Sequence, residues 1–85
     1  MYFEFYFGKN CNVCHSMEPK IKNISEKYNI PFFKIDTEEE IEKSSQKLIF
    51  SIPALLLYDD DGKEMNRWVR IFSLSDLENF LKRIL

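Results

Sequence analysis

No apolar run in this sequence approaches the roughly 20 residues that a membrane-spanning helix needs, so no transmembrane segment is expected. The opening stretch MYFEFYFGKN has neither the basic start nor the small-residue cleavage site of a signal peptide, and the chain is expected in the cytoplasm. A formal net charge of −2, with no basic stripe, offers no footprint for nucleic acid. Repeats, linkers and low-complexity segments are absent, so residues 1–85 read as one domain with little spare core. The acidic runs at 38–40 and 59–61 lack the ligand spacing of a calcium loop and read as a solvated face and turn chemistry. Cysteine is scarce as well. Cys11 and Cys14 are the whole supply, and a bridge across two intervening residues closes too small a loop to stabilise much. In a reducing compartment such a pair is catalytic or metal-binding in preference to structural. A structural zinc needs four ligands, and the single histidine, His15, directly follows Cys14 and points the wrong way to help. No metal site is therefore expected.

What the chain does have is apolar and aromatic weight, 45% and 15%, enough for a packed globule. YFEFYF (2–7) reads as a short buried strand ending at Gly8. Cys14, Met17, Ile21, Ile24 and Tyr28 then recur at three- and four-residue steps, one stripe of a helix. IPFFKID (30–36) is a second strand with Pro31 at its start. Residues 37–49 read as a polar helix capped by Thr37, with Glu40 three residues on. ALLLYD (54–59) and KEMNRWVRI (63–71) flank an Asp-Gly turn and read as a hairpin. The last helix, from residue 73 on, carries a capping box at Ser75 and Glu78. The order is β-α-β-α-β-β-α, an α/β fold with a small mixed sheet of about four strands flanked by three helices. Strands joined through helices imply parallel pairing, and the closing hairpin adds antiparallel edge strands.

The chemistry concentrates in GKNCNVCHSMEP (8–19). Cys-x-x-Cys reads as a redox dithiol, while Cys-x-x-Cys-His also fits a c-type haem attachment. The haem reading needs a helical fold, against which the strand-rich segments argue, and an export signal, which the opening residues do not resemble. A dithiol has a physical reason to sit here. The thiolate is the reactive form, and a helix N-terminus favours the anion over a free thiol of pKa about 8.5. Cys11 at the first turn would be the exposed nucleophile, and Cys14, one turn on and inward, the resolving cysteine. Lys9 adds a positive charge nearby.

With these residues placed, the sequence resembles the thioredoxin-like family along nearly its whole length. Three landmarks carry the resemblance: an aromatic strand before Cys-x-x-Cys, Pro19 five residues after Cys14 within the helix, and SIPALLLYDDDGKE. The resemblance implies a cis bond at Ile52–Pro53, packed beside the dithiol and positioning an extended substrate. The chain is similar to the short form, near glutaredoxins in size.

Departures from the family pattern are specific. Asn10 stands where thioredoxins have Trp, and Asn12-Val13 where they have Gly-Pro, so Asn12 and Val13 tune the dithiol. Phe5 aligns with a buried Asp that moves protons in thioredoxins, and Arg70 stands where a Gly is usual. The Gly-Gly pair by which glutaredoxins hold glutathione is missing. The resemblance implies a thiol–disulfide oxidoreductase that needs no bound cofactor beyond the Cys11–Cys14 pair. It would act as a monomer on protein disulfides and be re-reduced by a thioredoxin-reductase-like donor. The alternative is a non-catalytic thioredoxin-scaffold binding module, or a metal-binding redox switch.

Overall fold

The computed structural model describes residues 1–70 and 72–85. Its elements are β1 (Tyr2–Phe7), α1 (Asn12–Lys27), β2 (Phe32–Asp36), α2 (Ile41–Gln46), β3 (Ala54–Tyr58), β4 (Glu64–Val69) and α3 (Leu74–Ile84), the expected order. Alternation along β1 and β3 decides how the sheet is covered, because successive strand residues point to opposite faces. Phe3, Phe5, Leu55 and Leu57 face one way and bury Cys14, Met17, Ile21 and Ile24 of α1 with Leu77 and Leu81 of α3. Tyr6, Ala54, Leu56 and Tyr58 face the other way with Ile35, Ile49 and Ile52. Each fully buried side chain of this size contributes roughly 1.5–3 kcal/mol relative to exposure.

Sheet order is β2-β1-β3-β4. β1 and β2 are parallel, but β3 runs antiparallel to β1 although a helix precedes it. This corrects the expectation that helical connections make every pairing parallel, and β3 is interior, not an edge. Helix length explains the difference. At about 1.5 Å per residue, the 16 residues of α1 carry the chain back across the sheet, and the 6 of α2 cannot. The register shows the result: Asp36 at the end of β2 pairs with Phe7, while Ala54 at the start of β3 pairs with Tyr6. The whole connection stays at one end of the sheet. Pro53 is thereby delivered to the end where β1 runs into Cys11.

Helix boundaries follow local hydrogen bonds. α1 closes with Asn29 at φ 56, and α2 with Leu48 at φ 59. In both, the next residue's N–H reaches back five residues, Ile30 to the Ser25 carbonyl and Ile49 to Ser44, each a Schellman end. The Arg67 guanidinium of β4 donates to the Lys47 and Leu48 carbonyls that this end leaves over. Lys43 of α2 pairs with Glu4 of β1 at 3.0 Å, and the Tyr6 hydroxyl donates to the same carboxylate at 2.9 Å. Burial first, and Glu4 second, push the Tyr6 phenol well above its usual pKa.

Two expected caps are replaced. Thr37 donates its hydroxyl to the Phe7 carbonyl instead of capping. The Asp36 carboxylate takes the Glu38 and Glu39 N–H groups in a turn, so α2 starts only after Glu40. At the last helix Ser73, not Ser75, accepts the Asp76 N–H. Glu78 is engaged elsewhere, by Lys27 Nζ and the Tyr28 hydroxyl at the end of α1. The expected final strand residue, Ile71, lies outside the described residues.

Two predictions follow from these contacts. A Cβ on Gly8 would meet Ile52 Cδ1 at 2.8 Å. Gly8→Ala should cost about 1 kcal/mol through overpacking, and Ile52→Val, which removes that methyl, should make the change milder. Urea unfolding of the two singles and the double should therefore show a double-mutant loss smaller than the sum; strict additivity would refute the contact. Lys27 and then Tyr28 hold the Glu78 carboxyl below its usual pKa. Such a group stabilises above its unfolded-state pKa and ceases to as pH falls through the folded one. Glu78→Gln should thus lower the urea midpoint at neutral pH, and the gap should close near pH 3.

Candidate active site

Cys11 occupies the cap position of α1, in extended backbone at φ −93, and its sulfur accepts the Cys14 N–H at 3.1 Å. A cysteine here does what Ser or Asp usually does at a helix start. Cys11 and Cys14 are joined as a disulfide, with their Cα atoms 5.2 Å apart. Cys11 is half-buried, and Cys14 is 1% exposed within the core that α1 shares with the sheet. No acidic residue lies in the first turn of α1, so the positive end of the helix is not neutralised. Reduced, this arrangement presents one sulfur to solvent and to the helix field while the other stays dry.

The Ile52–Pro53 bond is cis. Pro53, Ile52 and Cys11 line one groove of about 530 Å³ with Asn12, Val13, Ser51, Phe50 and Arg70. Its far wall is held by the Arg70 N–H, which donates to the Pro53 carbonyl at 2.6 Å. Arg70 sits at φ 65, the region where the family's glycine is at ease. A second groove, of about 490 Å³, continues past Asn12 and Val13 to Met17, Lys20, Phe72 and Leu74. Phe72 therefore borders the dithiol region. Trp68 lines neither groove and packs behind Phe72, at 6.4 Å, and on Phe80, at 5.5 Å.

Of the residues expected at the site, Cys11, Cys14, Asn12, Val13, Ile52 and Pro53 are brought together. Lys9 differs: its ammonium is drawn off by Glu39 at 3.0 Å and Asp36 at 3.8 Å. Its carbonyl is what faces the motif, accepting the His15 Nε2–H at 2.8 Å. His15 is thus bonded to loop backbone, and the four-stranded sheet removes the helical fold that the haem reading required. Phe5 is fully buried in the Cys14 core. Glu4, the buried carboxylate next to it, faces α2 and cannot stand in for an acid beneath Cys14. Among the described residues no group of three or more His, Cys, Asp or Glu is placed to hold a metal.

Sequence reasoning missed three contributors. Gly8 was read only as a strand end, yet the absence of its side chain lets Ile52 close over the loop. Phe50, 84% exposed, stands on the groove; an aromatic next to SIP was the available signal. Arg70 stands out in the sequence as a departure from Gly able to meet an anionic partner, but its place on the groove beside Cys11 is not legible there.

The thioredoxin family model matches residues 2–83. A thioredoxin-like protein of the SPbeta prophage of Bacillus subtilis, YosR, is 32% identical over 75 residues, covering 88% of each chain. A thioredoxin of Aspergillus fumigatus is 29% identical over 80 residues, 93% of this chain and 73% of that one. Among solved structures, thioredoxin 1 of Thermosipho africanus superposes with a TM-score of 0.92 at 33% identity, over 99% of this chain and 93% of that one. The chain belongs to the thioredoxin family, and with its Cys11–Cys14 pair it is a thiol–disulfide oxidoreductase.

Proposed function

We propose that Cys11 is the nucleophile, Cys14 the resolving cysteine, and Ile52–Pro53 the element that aligns a protein disulfide against them. The observation that carries this reading is the contrast between a capping, groove-facing Cys11 and a buried Cys14. The Cys11 thiolate attacks one sulfur of the substrate disulfide. That bond breaks, a mixed disulfide forms, and the other substrate sulfur leaves as thiolate. Cys14, deprotonated, then attacks Cys11 Sγ. The mixed disulfide breaks, the Cys11–Cys14 bond forms, and the second substrate thiolate departs. Two electrons pass to the substrate, and the two protons released by the dithiol are balanced by those its product thiols take up.

Asn12 and Val13, which lie between the sulfurs and border both grooves, tune the pair. Lys9 contributes through its carbonyl bond to His15 more than through its charge. In this reading the chain acts as a monomer. The pair carries the electrons itself, so no bound cofactor is invoked. A thioredoxin-reductase-like donor would restore the dithiol. A cytoplasmic setting agrees with two cysteines committed to exchange and none to a structural staple.

Substitution separates the two roles. Cys11→Ser should abolish dithiothreitol-driven reduction of insulin disulfides, and retained activity would sink the assignment. Cys14→Ser should instead accumulate mixed disulfides through Cys11, visible by mass spectrometry; their absence would remove the resolving role from Cys14.

A further inference from the structure

The two grooves that meet at Asn12 and Val13 have a charge character opposite to the chain as a whole. Aspartate and glutamate outnumber lysine and arginine 14 to 12, yet the residues lining the grooves include Arg70 and Lys20 and no acid. Among the described residues, neither cation has a carboxylate partner. Between them lies an apolar floor built on Val13, Phe72 and Pro53, with Phe50 standing exposed at the side.

Arg70 is held there against its own backbone preference. A φ of 65 disfavours any side chain, and the bond from its N–H to the Pro53 carbonyl ties that conformation to the substrate-facing proline. A glycine would meet the backbone requirement without strain. The side chain is therefore retained at a conformational cost, at the rim beside Cys11, with no internal ion pair to account for it.

We propose that Arg70, with Lys20, reads carboxylates flanking the cysteine under attack, so that the preferred substrates are protein disulfides whose cysteine lies among acidic and apolar residues. The inference rests on Cys11 being the nucleophile. The acidic side chains pair with the two cations, and an apolar neighbour lies on Phe50 and Val13. Rim charges act mainly on encounter, and salt weakens them.

The test uses the reduced protein and one short peptide whose central cysteine carries a neutral 4-thiopyridyl disulfide, flanked by Glu, Gln or Lys. Rates are divided by those of the same peptides with dithiothreitol, which removes their intrinsic reactivity. The wild-type ratio of Glu to Lys peptide should be roughly fivefold, the size expected of exposed ion pairs, and should shrink in high salt. Arg70→Gly, which also relieves the backbone, should cut that ratio to about twofold by loss of one of the two cations, and Arg70→Glu should cut it further. A wild-type ratio near one, or one unchanged in Arg70→Gly, overturns the proposal. Oxidised glutathione, whose carboxylates offer the same chemistry, should react more slowly than the Glu peptide; a faster reaction overturns the assignment to proteins. Reduction of the Gln peptide by wild-type protein reports disulfide exchange itself, so failure of selectivity stays distinct from failure of the reaction.

Discussion

The hydrogen bond from the Cys14 N–H to Cys11 Sγ organises the site. It places a sulfur where a helix cap normally has oxygen, at the positive end of a 16-residue helix. The bond also fixes the spacing of the two cysteines. One helical turn separates cap from core, so the capping cysteine is half-buried on the groove and the next cysteine, three residues on, is buried. Exchange chemistry needs that asymmetry, since the attacking and resolving sulfurs must differ in access.

The rest of the fold brings the Ile52–Pro53 edge to that cap. α1 returns the chain across the sheet, and the short α2 does not, so β3 begins at the end where β1 stops. The Leu48 Schellman end and the Arg67 guanidinium hold the connection in place. Gly8 leaves room for Ile52 to close over the loop. On the opposite face Glu4, Lys43 and Tyr6 fasten α2 to the sheet, a polar cluster separated by the sheet from the Cys14 core. Phe5 fills that core where the family pattern has an acid, and the neighbouring buried Glu4 lies across the sheet from Cys14.

Much of this was legible in the residues. The stripe Cys14, Met17, Ile21, Ile24 defines a helix face, and three separated landmarks, Cys-x-x-Cys, Pro19 and Ile52–Pro53, agree only in a thioredoxin-like arrangement. The misreadings share one physical origin: polar side chains with a choice of partners. Thr37 fits a cap but meets the Phe7 carbonyl first, Glu78 fits a capping box but is taken by Lys27 and Tyr28, and Lys9 is drawn to Glu39. Each outcome depends on a neighbour distant in sequence. The direction of β3 was hidden for a similar reason, because strand sense depends on how far the intervening helix travels.

The central claim is that the Cys11 cap makes one thiolate of the pair. Titration of the reduced protein by thiolate absorbance near 240 nm, with alkylation mapped by mass spectrometry at each pH, tests it directly. The account predicts that Cys11 ionises well below the free-thiol value of about 8.5 and is alkylated first, with Cys14 protected. A Cys11 that titrates at or above that value, or a Cys14 that is alkylated first, would contradict it.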